Sequence, residues 1–178
     1  MADDFSTIDI QKMLDIPPER FRAWTKEGYL IEPTIPASGK GSRASYSSEH
    51  VYCIALFKSL LDKGFHRRTA STLIKSFWRQ SFDKSDVLVN LIRTQGERDI
   101  TLAVFGFTSD DPNEKPYLQV ISGPLKNGKY ELDEYGVEGK YSTIDISGNT
   151  PRWSHMHIVN ISVLFEKVDS AIRAMKSI

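Results

Sequence analysis

The chain has 178 residues, of which 26% are charged and 40% are hydrophobic, proportions typical of a globular protein. Its 23 basic and 23 acidic residues give a formal net charge of zero, and its single cysteine cannot close an intrachain disulfide. No apolar run approaches the roughly 20 residues of a membrane span, and the first residues are acidic, whereas a secretory signal begins with basic ones. These features predict a cytoplasmic protein that is neither a disulfide scaffold nor a membrane protein.

The charge is unevenly distributed along the chain. Residues 1–82 hold 12 basic and 9 acidic residues, whereas residues 83–178 hold 11 basic and 14 acidic residues. A basic front half indicates an anionic partner for that half. The signal is small, because the binding domain of a nucleic-acid-binding protein usually has a larger basic excess.

The first elements along the chain are predicted to be two short helices joined by a tight turn. Apolar residues recur on one side of residues 9–14, and Pro17 and Pro18 then interrupt the pattern. Proline is favoured in the first turn of a helix, so one of these prolines is predicted to open the second helix. That helix carries Phe21 and Trp24 three residues apart, and Gly28 is its expected C-terminal cap.

A basic loop and two more helices are predicted to follow. Residues 32–45 contain two prolines and two glycines together with Lys40 and Arg43, which predicts a flexible, positively charged loop. A serine pair followed by an acid at residues 47–49 is typical of a helix start, and the helical pattern ends at Gly64. The next helix is predicted over residues 67–78, with an apolar stripe at Ala70, Leu73, Ile74 and Phe77.

The back half mixes strands and helices. We predict a short helix at 87–93, strands at 100–107, 117–121 and 141–146, and a hairpin turn at 126–129. A final helix is predicted from six apolar residues that are alternately three and four positions apart. This heptad-like seam consists of Ile158, Ile161, Phe165, Val168, Ile172 and Met175.

The front half has the arrangement of a DNA-binding domain. An α-helix fits the major groove, where each base pair presents a distinct pattern, and a neighbouring loop can follow the backbone. Two cations at the start of the 67–78 helix oppose its dipole, which is explicable if they meet an external anion. The competing interpretation is that these charges are solvated surface residues. The candidate contacts are Arg20, Arg22, Lys26, Lys40, Arg43, Arg67 and Arg68.

Residues 5–78 resemble the DNA-binding domain of the MerR family of transcriptional regulators. The resemblance is carried by residues 5–6, 9–14, 16–30, 33, 41–47 and 49–65. The pattern over residues 22–30 is followed by Arg43, Tyr46 and residues 64–65 at the expected places, and the resemblance implies that Arg22, Lys26 and Arg43 lie at DNA. It implies that the second helix reads the major groove and that the loop is a wing on the DNA backbone. It also implies that Tyr46 packs the wing or contacts a phosphate. The chain differs from the family at residues 23–25 and after Trp78, where family members continue into one long dimerisation helix.

The predicted fold is α+β, in two domains. Residues 1–80 are predicted to form an all-helical winged helix-turn-helix domain, and residues 84–178 an α+β dimerisation or effector domain that ends in a long helix. The seam is predicted to join two copies in a homodimer; the competing interpretation is that it packs within its own domain. The sequence does not identify the possible effector, which could be a small molecule or a protein.

The predicted function is that of a sequence-specific transcriptional regulator that binds double-stranded DNA. Two alternatives remain: an excisionase-like or architectural accessory factor, and a protein-interaction adaptor that has lost its DNA affinity. The spacing of acids, histidines and the cysteine indicates no catalytic set, cofactor or metal site, so an enzyme is not predicted.

Overall fold

The structure is a computed structural model that describes residues 4–39, 42–80, 100–107, 117–123, 125–126, 129–130, 133–136 and 155–177. Its front half begins with strand β1 (Phe5–Ser6), helix α1 (Thr7–Met13) and helix α2 (Pro18–Lys26). Ser6 and Asp9 cap α1 reciprocally: the Asp9 carboxylate accepts from the Ser6 N–H at 2.9 Å, and the Ser6 hydroxyl accepts from the Asp9 N–H at 3.3 Å. These caps explain why α1 begins at Thr7, and Pro18 in the first turn favours the start of α2, as predicted.

A glycine with positive φ follows the end of each of the next two helices. Gly28 follows α2 with φ +69°, a left-handed conformation that glycine adopts without a steric penalty. After strand β2 (Ser45–Tyr46), helix α3 (Ser48–Asp62) begins at a cap made by Ser47 and ends before Gly64. Helix α4 (Arg67–Gln80) follows and is two residues longer than predicted.

The expectation of an all-helical front domain needs one correction. Strands β1 and β2 pair antiparallel, with Phe5 opposite Tyr46 and Ser6 opposite Ser45. Each strand has only two residues, which is too short for the alternation that marks a strand in a sequence. The pairing ties the start of the chain to the end of the loop at residues 32–45, which is called the wing below after its predicted role.

The described part of the back half contains an antiparallel sheet. Its strands are β3 (Ile100–Phe107), β4 (Tyr117–Gly123), β7 (Asp133–Gly136) and β8 (His155–Asn160), in the order β7-β4-β3-β8. Strands β5 (Leu125–Lys126) and β6 (Lys129–Tyr130) flank the predicted hairpin turn and pair with each other. The helix predicted at 87–93 and the strand predicted at 141–146 lie outside the described residues.

The final helix, α5, spans Ile161–Lys176. Ile158, which was predicted to open the helical seam, therefore lies in strand β8. The helix begins three residues later because the Asn160 side chain accepts a hydrogen bond from the Val163 N–H at 3.0 Å, as an N-cap does. The three- and four-residue spacing alone does not show where a strand changes into a helix.

Helix α5 packs on the front half of the chain, against α1 and α3, and also against β3. Its buried residues belong to the same hydrophobic core as those of the first four helices. The Phe165 ring lies 4.6 Å from the Tyr52 ring, and the Tyr52 hydroxyl donates a hydrogen bond to Asp169. The two predicted domains thus share a core through α5. Their predicted boundary at 80–84 falls at the start of the undescribed stretch and stays a prediction.

Within the described residues, no helix is long and apolar enough to cross a bilayer.

Candidate nucleic-acid interface

Two aromatic residues determine which side of α2 packs on the core. Phe21 and Trp24 are its buried residues, and their three-residue spacing places them on one side of the helix. The Trp24 ring meets Phe57 of α3 edge-on at 5.2 Å, and the Phe21 ring meets Tyr46 edge-on at 6.2 Å. Such edge-to-face contacts have a preferred geometry. The other side of α2 is consequently held towards solvent.

The exposed side of α2 lines an open groove of about 750 Å³. The groove lies between α1, α2 and the strand that ends the wing. Its floor is largely apolar, whereas Arg22, Thr25 and Lys26 bring polar groups to it from α2. The lining residues are Thr7, Ile8, Gln11, Pro18, Phe21, Arg22, Thr25, Lys26, Ala44 and Tyr46.

Two of the three basic residues predicted on α2 share this groove. Arg22 and Lys26 are four residues apart, so they are neighbours on the helix surface, and both are exposed. Arg20 is also exposed, but it does not line the groove. At 3.6 residues per turn, Arg20 lies about 160° around the helix axis from Arg22. Arg20 therefore does not belong with the other two on one binding surface.

The wing is closed by backbone hydrogen bonds at its base and near its tip. Ile35 and Ser45 exchange two bonds, of 2.9 and 3.2 Å, and the Ser42 N–H donates to the Gly39 carbonyl at 3.1 Å. Arg43 stands exposed on the returning arm. Lys40, the other predicted contact of the wing, lies outside the described residues. A cation on a closed hairpin beside α2 fits a contact with the DNA backbone.

Tyr46 is a packing residue of the wing. Its side chain is only 2% exposed, between the rings of Phe21 and His50. Burial raises the pKa of its hydroxyl, which a hydrogen bond with the Thr7 side chain partly offsets. Of the two roles that were predicted for Tyr46, packing is the one that this environment favours.

His50 joins the start of the wing to the start of α3. Its Nδ1 accepts a hydrogen bond from the Ser47 N–H at 3.3 Å, because a backbone amide can only donate. The proton of the neutral ring is then on Nε2, which donates to the Glu32 carbonyl at 2.9 Å. Burial lowers the pKa of His50, since it disfavours the charged ring, although the bond to Glu32 and the nearby Glu49 act in the opposite direction.

Arg67 and Arg68 lie at the start of α4, away from the groove lining. The Arg67 guanidinium is 3.9 Å from the carboxylate of Glu27, just after α2. The Glu27 carboxylate is therefore an anion within the chain that can pair with Arg67 in place of an external one. Arg68 is exposed, and its backbone N–H donates to Nδ1 of His66 at 3.3 Å.

Sequence reasoning missed the contribution of α1 to the groove. Thr7, Ile8 and Gln11 line it, and Ile8 is 49% exposed. Ile8 and Gln11 come one and four positions after Thr7, so the three residues lie on one face of α1. The packing of α1 beside α2 determines that this face lines the same groove as Arg22. Thr25 lines the groove as well, and its hydroxyl donates to the Phe21 carbonyl at 3.0 Å.

The six seam residues have different surroundings. Four of them, Ile161, Phe165, Val168 and Ile172, are buried within one chain. Met175 is half-buried, and the side chain of Ile158 lies outside the described residues. Intrachain packing is thus observed for most of the seam, and its use between two copies stays a prediction.

Cys53 is buried in α3, as expected for a core residue, and burial raises the pKa of its thiol. A buried thiol with a raised pKa is a poor nucleophile and metal ligand.

Comparison with known proteins assigns the front half. The family model described as "MerR HTH family regulatory protein" matches residues 5–76, nearly the same stretch as the predicted resemblance. A search of curated proteins gives no match.

Proposed function

Because residues 5–76 are a helix-turn-helix domain of the MerR family, we propose that the protein is a sequence-specific, cytoplasmic transcriptional regulator that binds double-stranded DNA. Helix α2 enters the major groove, and the wing lies on the backbone. The observation that carries this proposal is the shared groove of α1, α2 and β2, into which Arg22 and Lys26 project.

The chemistry of the groove suits a duplex. A guanidinium recognises the two acceptors of guanine in the major groove through two hydrogen bonds, and an ammonium suits a phosphate. Hydroxyl and amide groups such as those of Thr7 and Gln11 commonly contact phosphates and sugars. The apolar side chains of Ile8 and Ala44 in the groove suit the carbon surface of a sugar or a thymine methyl group.

The proposal includes a homodimer and a back half that serves as an α+β dimerisation or effector domain. A single winged domain contacts few base pairs, so specific binding usually uses two half-sites and a two-fold dimer. Since four seam residues are buried within one chain, a dimer formed through the seam would require α5 to change partners. A different surface is the simpler route to a dimer.

Selection of bound duplexes from random DNA, followed by affinity measurements at fixed salt, tests the proposed function. We expect a defined operator that the full chain binds at least about a thousandfold more tightly than unrelated DNA. An accessory factor would instead bend its site strongly without controlling a promoter, and an adaptor would enrich no sequence. Failure to enrich any duplex over the starting pool would refute the proposal.

A further inference from the structure

One face of α4 holds the turn that follows α2. Arg67, Ser71 and Lys75 are four residues apart, so their side chains lie along one side of that helix. They contact three consecutive residues, 27–29. The contacts are an ion pair of Arg67 with the Glu27 carboxylate, a hydrogen bond from Lys75 to the Gly28 carbonyl, and one from Ser71 to the Tyr29 carbonyl.

The Ser71 bond is the least exposed member of this group. The hydroxyl donates to the Tyr29 carbonyl at 2.7 Å in a part-buried position, and Ser71 is 5% exposed. Without the hydroxyl, the Tyr29 carbonyl would keep a desolvation cost with no hydrogen bond to offset it, so this bond favours one position of the turn. Arg67 and Glu27 are both about half exposed at 3.9 Å, and a surface pair of this kind contributes little.

Lys75 acts at the end of α2, where carbonyl groups lack helical partners. The C-terminus of a helix carries a partial negative charge, and a cation placed there is favourable. Lys75 donates to the Gly28 carbonyl just past that end. The ammonium thus faces the protein backbone, and Ser71, one turn earlier on α4, continues the same row of contacts.

Helix α2 is short, and the contacts with α4 act at its far end. It is nine residues long, and Pro17 makes no side-chain cap at its start. Its buried residues Phe21 and Trp24 fix which side packs on the core. Leu30 and Ile31 are buried just after the turn, and the row of contacts from α4 holds the turn itself. A recognition element needs neighbouring residues that hold it to within a fraction of an ångström.

We propose that Ser71 and Lys75 are positioning residues: they set the orientation of α2 and thereby the sequence specificity of DNA binding, without touching DNA. Arg67 belongs to the same row through its exposed pair with Glu27, and its role as a DNA contact stays a prediction. This inference rests on the proposed function and adds to it the source of specificity.

The test compares the full chain with Ser71→Ala, Ser71→Thr, Lys75→Met and Lys75→Arg. Affinities for the selected operator and for an unrelated duplex of equal length are measured over a series of salt concentrations. Thr72→Ala removes an exposed α4 hydroxyl that bonds within its own helix, and Lys58→Met removes a lysine of α3 that pairs with Asp62; both serve as controls.

We expect Ser71→Ala and Lys75→Met each to lower the ratio of operator to unrelated-DNA affinity about fivefold, the usual effect of one lost hydrogen bond. The salt slope should not change, because no phosphate contact is removed. Ser71→Thr and Lys75→Arg should retain most of the ratio, and the two controls should match the unmodified chain.

Hydrogen exchange in the free protein gives a second readout that needs no DNA. The amides of residues 27–29 should exchange faster in Ser71→Ala, while those of α3 keep their protection, which also shows that the variant is folded.

A salt slope lower by about one for Lys75→Met, with both duplexes weakened alike, would make Lys75 a phosphate contact and overturn the inference. Unchanged affinity ratios and exchange rates in both variants would also overturn it. Failure of the unmodified chain to bind any duplex would refute the proposed function instead, and the exchange result would still report on the contacts between α4 and α2.

Discussion

Arg20 and Arg22 are both exposed arginines on α2, but they lie on nearly opposite sides of it. Arg22 faces the groove, whereas Arg20 does not. We expect Arg22→Ala to cost about 1–3 kcal/mol of operator binding and to relax the preference at one base position, as the loss of a base contact does. Titration of the operator and of its single-base variants measures both effects.

Arg20→Ala is the matched control for that change. It removes the same charge from the same helix, so it should alter operator affinity by no more than about 0.5 kcal/mol and leave the base preferences unchanged. Equal losses for the two variants would mean that α2 acts through its net charge and not through its groove-facing side.

His50 gives the protein a pH-dependent stability whose sign follows from its environment. Burial lowers its pKa in the folded chain below the ordinary 6.5, so the unfolded chain binds more protons between the two pKa values. The contribution of the neutral ring is complete above about pH 6.5 and is lost as the pH falls through the folded pKa. Protonation also adds a proton to Nδ1, which then cannot accept from the Ser47 N–H.

Urea unfolding at about pH 7.5 and at about pH 5 measures this effect. The free energy of unfolding should fall towards the lower pH by more in the unmodified protein than in His50→Gln, which has no titrating ring. Subtracting the His50→Gln change removes the contributions of carboxylates such as Glu49. Equal pH dependence in the two proteins would show that His50 is not the titrating group.

At the scale of the element, the wing offers one described cation for the DNA backbone. Arg43 is exposed on a hairpin whose base is held by the Ile35–Ser45 bonds. If it contacts a phosphate, Arg43→Ala should weaken binding to all duplexes to the same degree and reduce the salt slope by about one. Binding titrations of two unrelated duplexes over a salt series measure both quantities.

Arg43→Lys keeps the charge and should retain most of the affinity. A loss for Arg43→Ala that is confined to one sequence would instead assign Arg43 to base recognition, and an unchanged slope would remove it from the interface.

The front helices were predictable because their signals are local. A capping serine, an early proline or a final glycine acts within one turn, and Ser6, Pro18 and Gly28 each do so in the structure. The β1–β2 pair was not predictable, because it joins two-residue segments that are far apart in the sequence: Phe5 pairs with Tyr46, which is 41 positions away. Neither was the boundary between β8 and α5, since the apolar spacing continues across it.

The candidate site was predictable in its residue types more than in its geometry. Arg22 and Lys26 follow from the helical period, and that period also separates Arg20 from them. The roles of Thr7, Gln11 and Ser71 depend on how α1 and α4 pack against α2, and no spacing within one helix contains that information. Tertiary packing decides which of several exposed polar residues share a surface.

At the scale of the whole molecule, α5 links the two ends of the chain. It follows β8, the strand next to β3, and it buries one side against α1 and α3. Helix α1 contributes its exposed residues to the groove. The Tyr52 hydroxyl, whose pKa is raised by burial and by its bond to Asp169, marks the polar part of this contact. Helix α5, at the end of the back half, therefore packs into the hydrophobic core of the DNA-binding domain.

Two substitutions on α5 separate this intrachain packing from a dimer seam. Phe165 is 1% exposed and Val163, on the same helix, is 47% exposed. Phe165→Ala should lower the free energy of unfolding by about 3–5 kcal/mol, whereas Val163→Ala should change it by no more than about 0.5 kcal/mol. Urea unfolding measures both, and hydrogen exchange of the α3 amides locates the loss.

The oligomeric state of Phe165→Ala distinguishes the two arrangements of α5, because a homodimer through another surface would by itself make the unfolding midpoint rise with concentration. If the seam packs within one chain, Phe165→Ala loses protection in α3 and keeps the oligomeric state of the unmodified protein in light scattering. If the seam joins two copies, Phe165→Ala is a monomer at concentrations where the unmodified protein is a dimer. Full protection of α3 in a monomeric Phe165→Ala would contradict the intrachain packing and return the seam to the dimer. Since α5 contacts both α1 and α3, the intrachain arrangement also predicts weaker operator binding by Phe165→Ala at temperatures where the unmodified domain is fully folded.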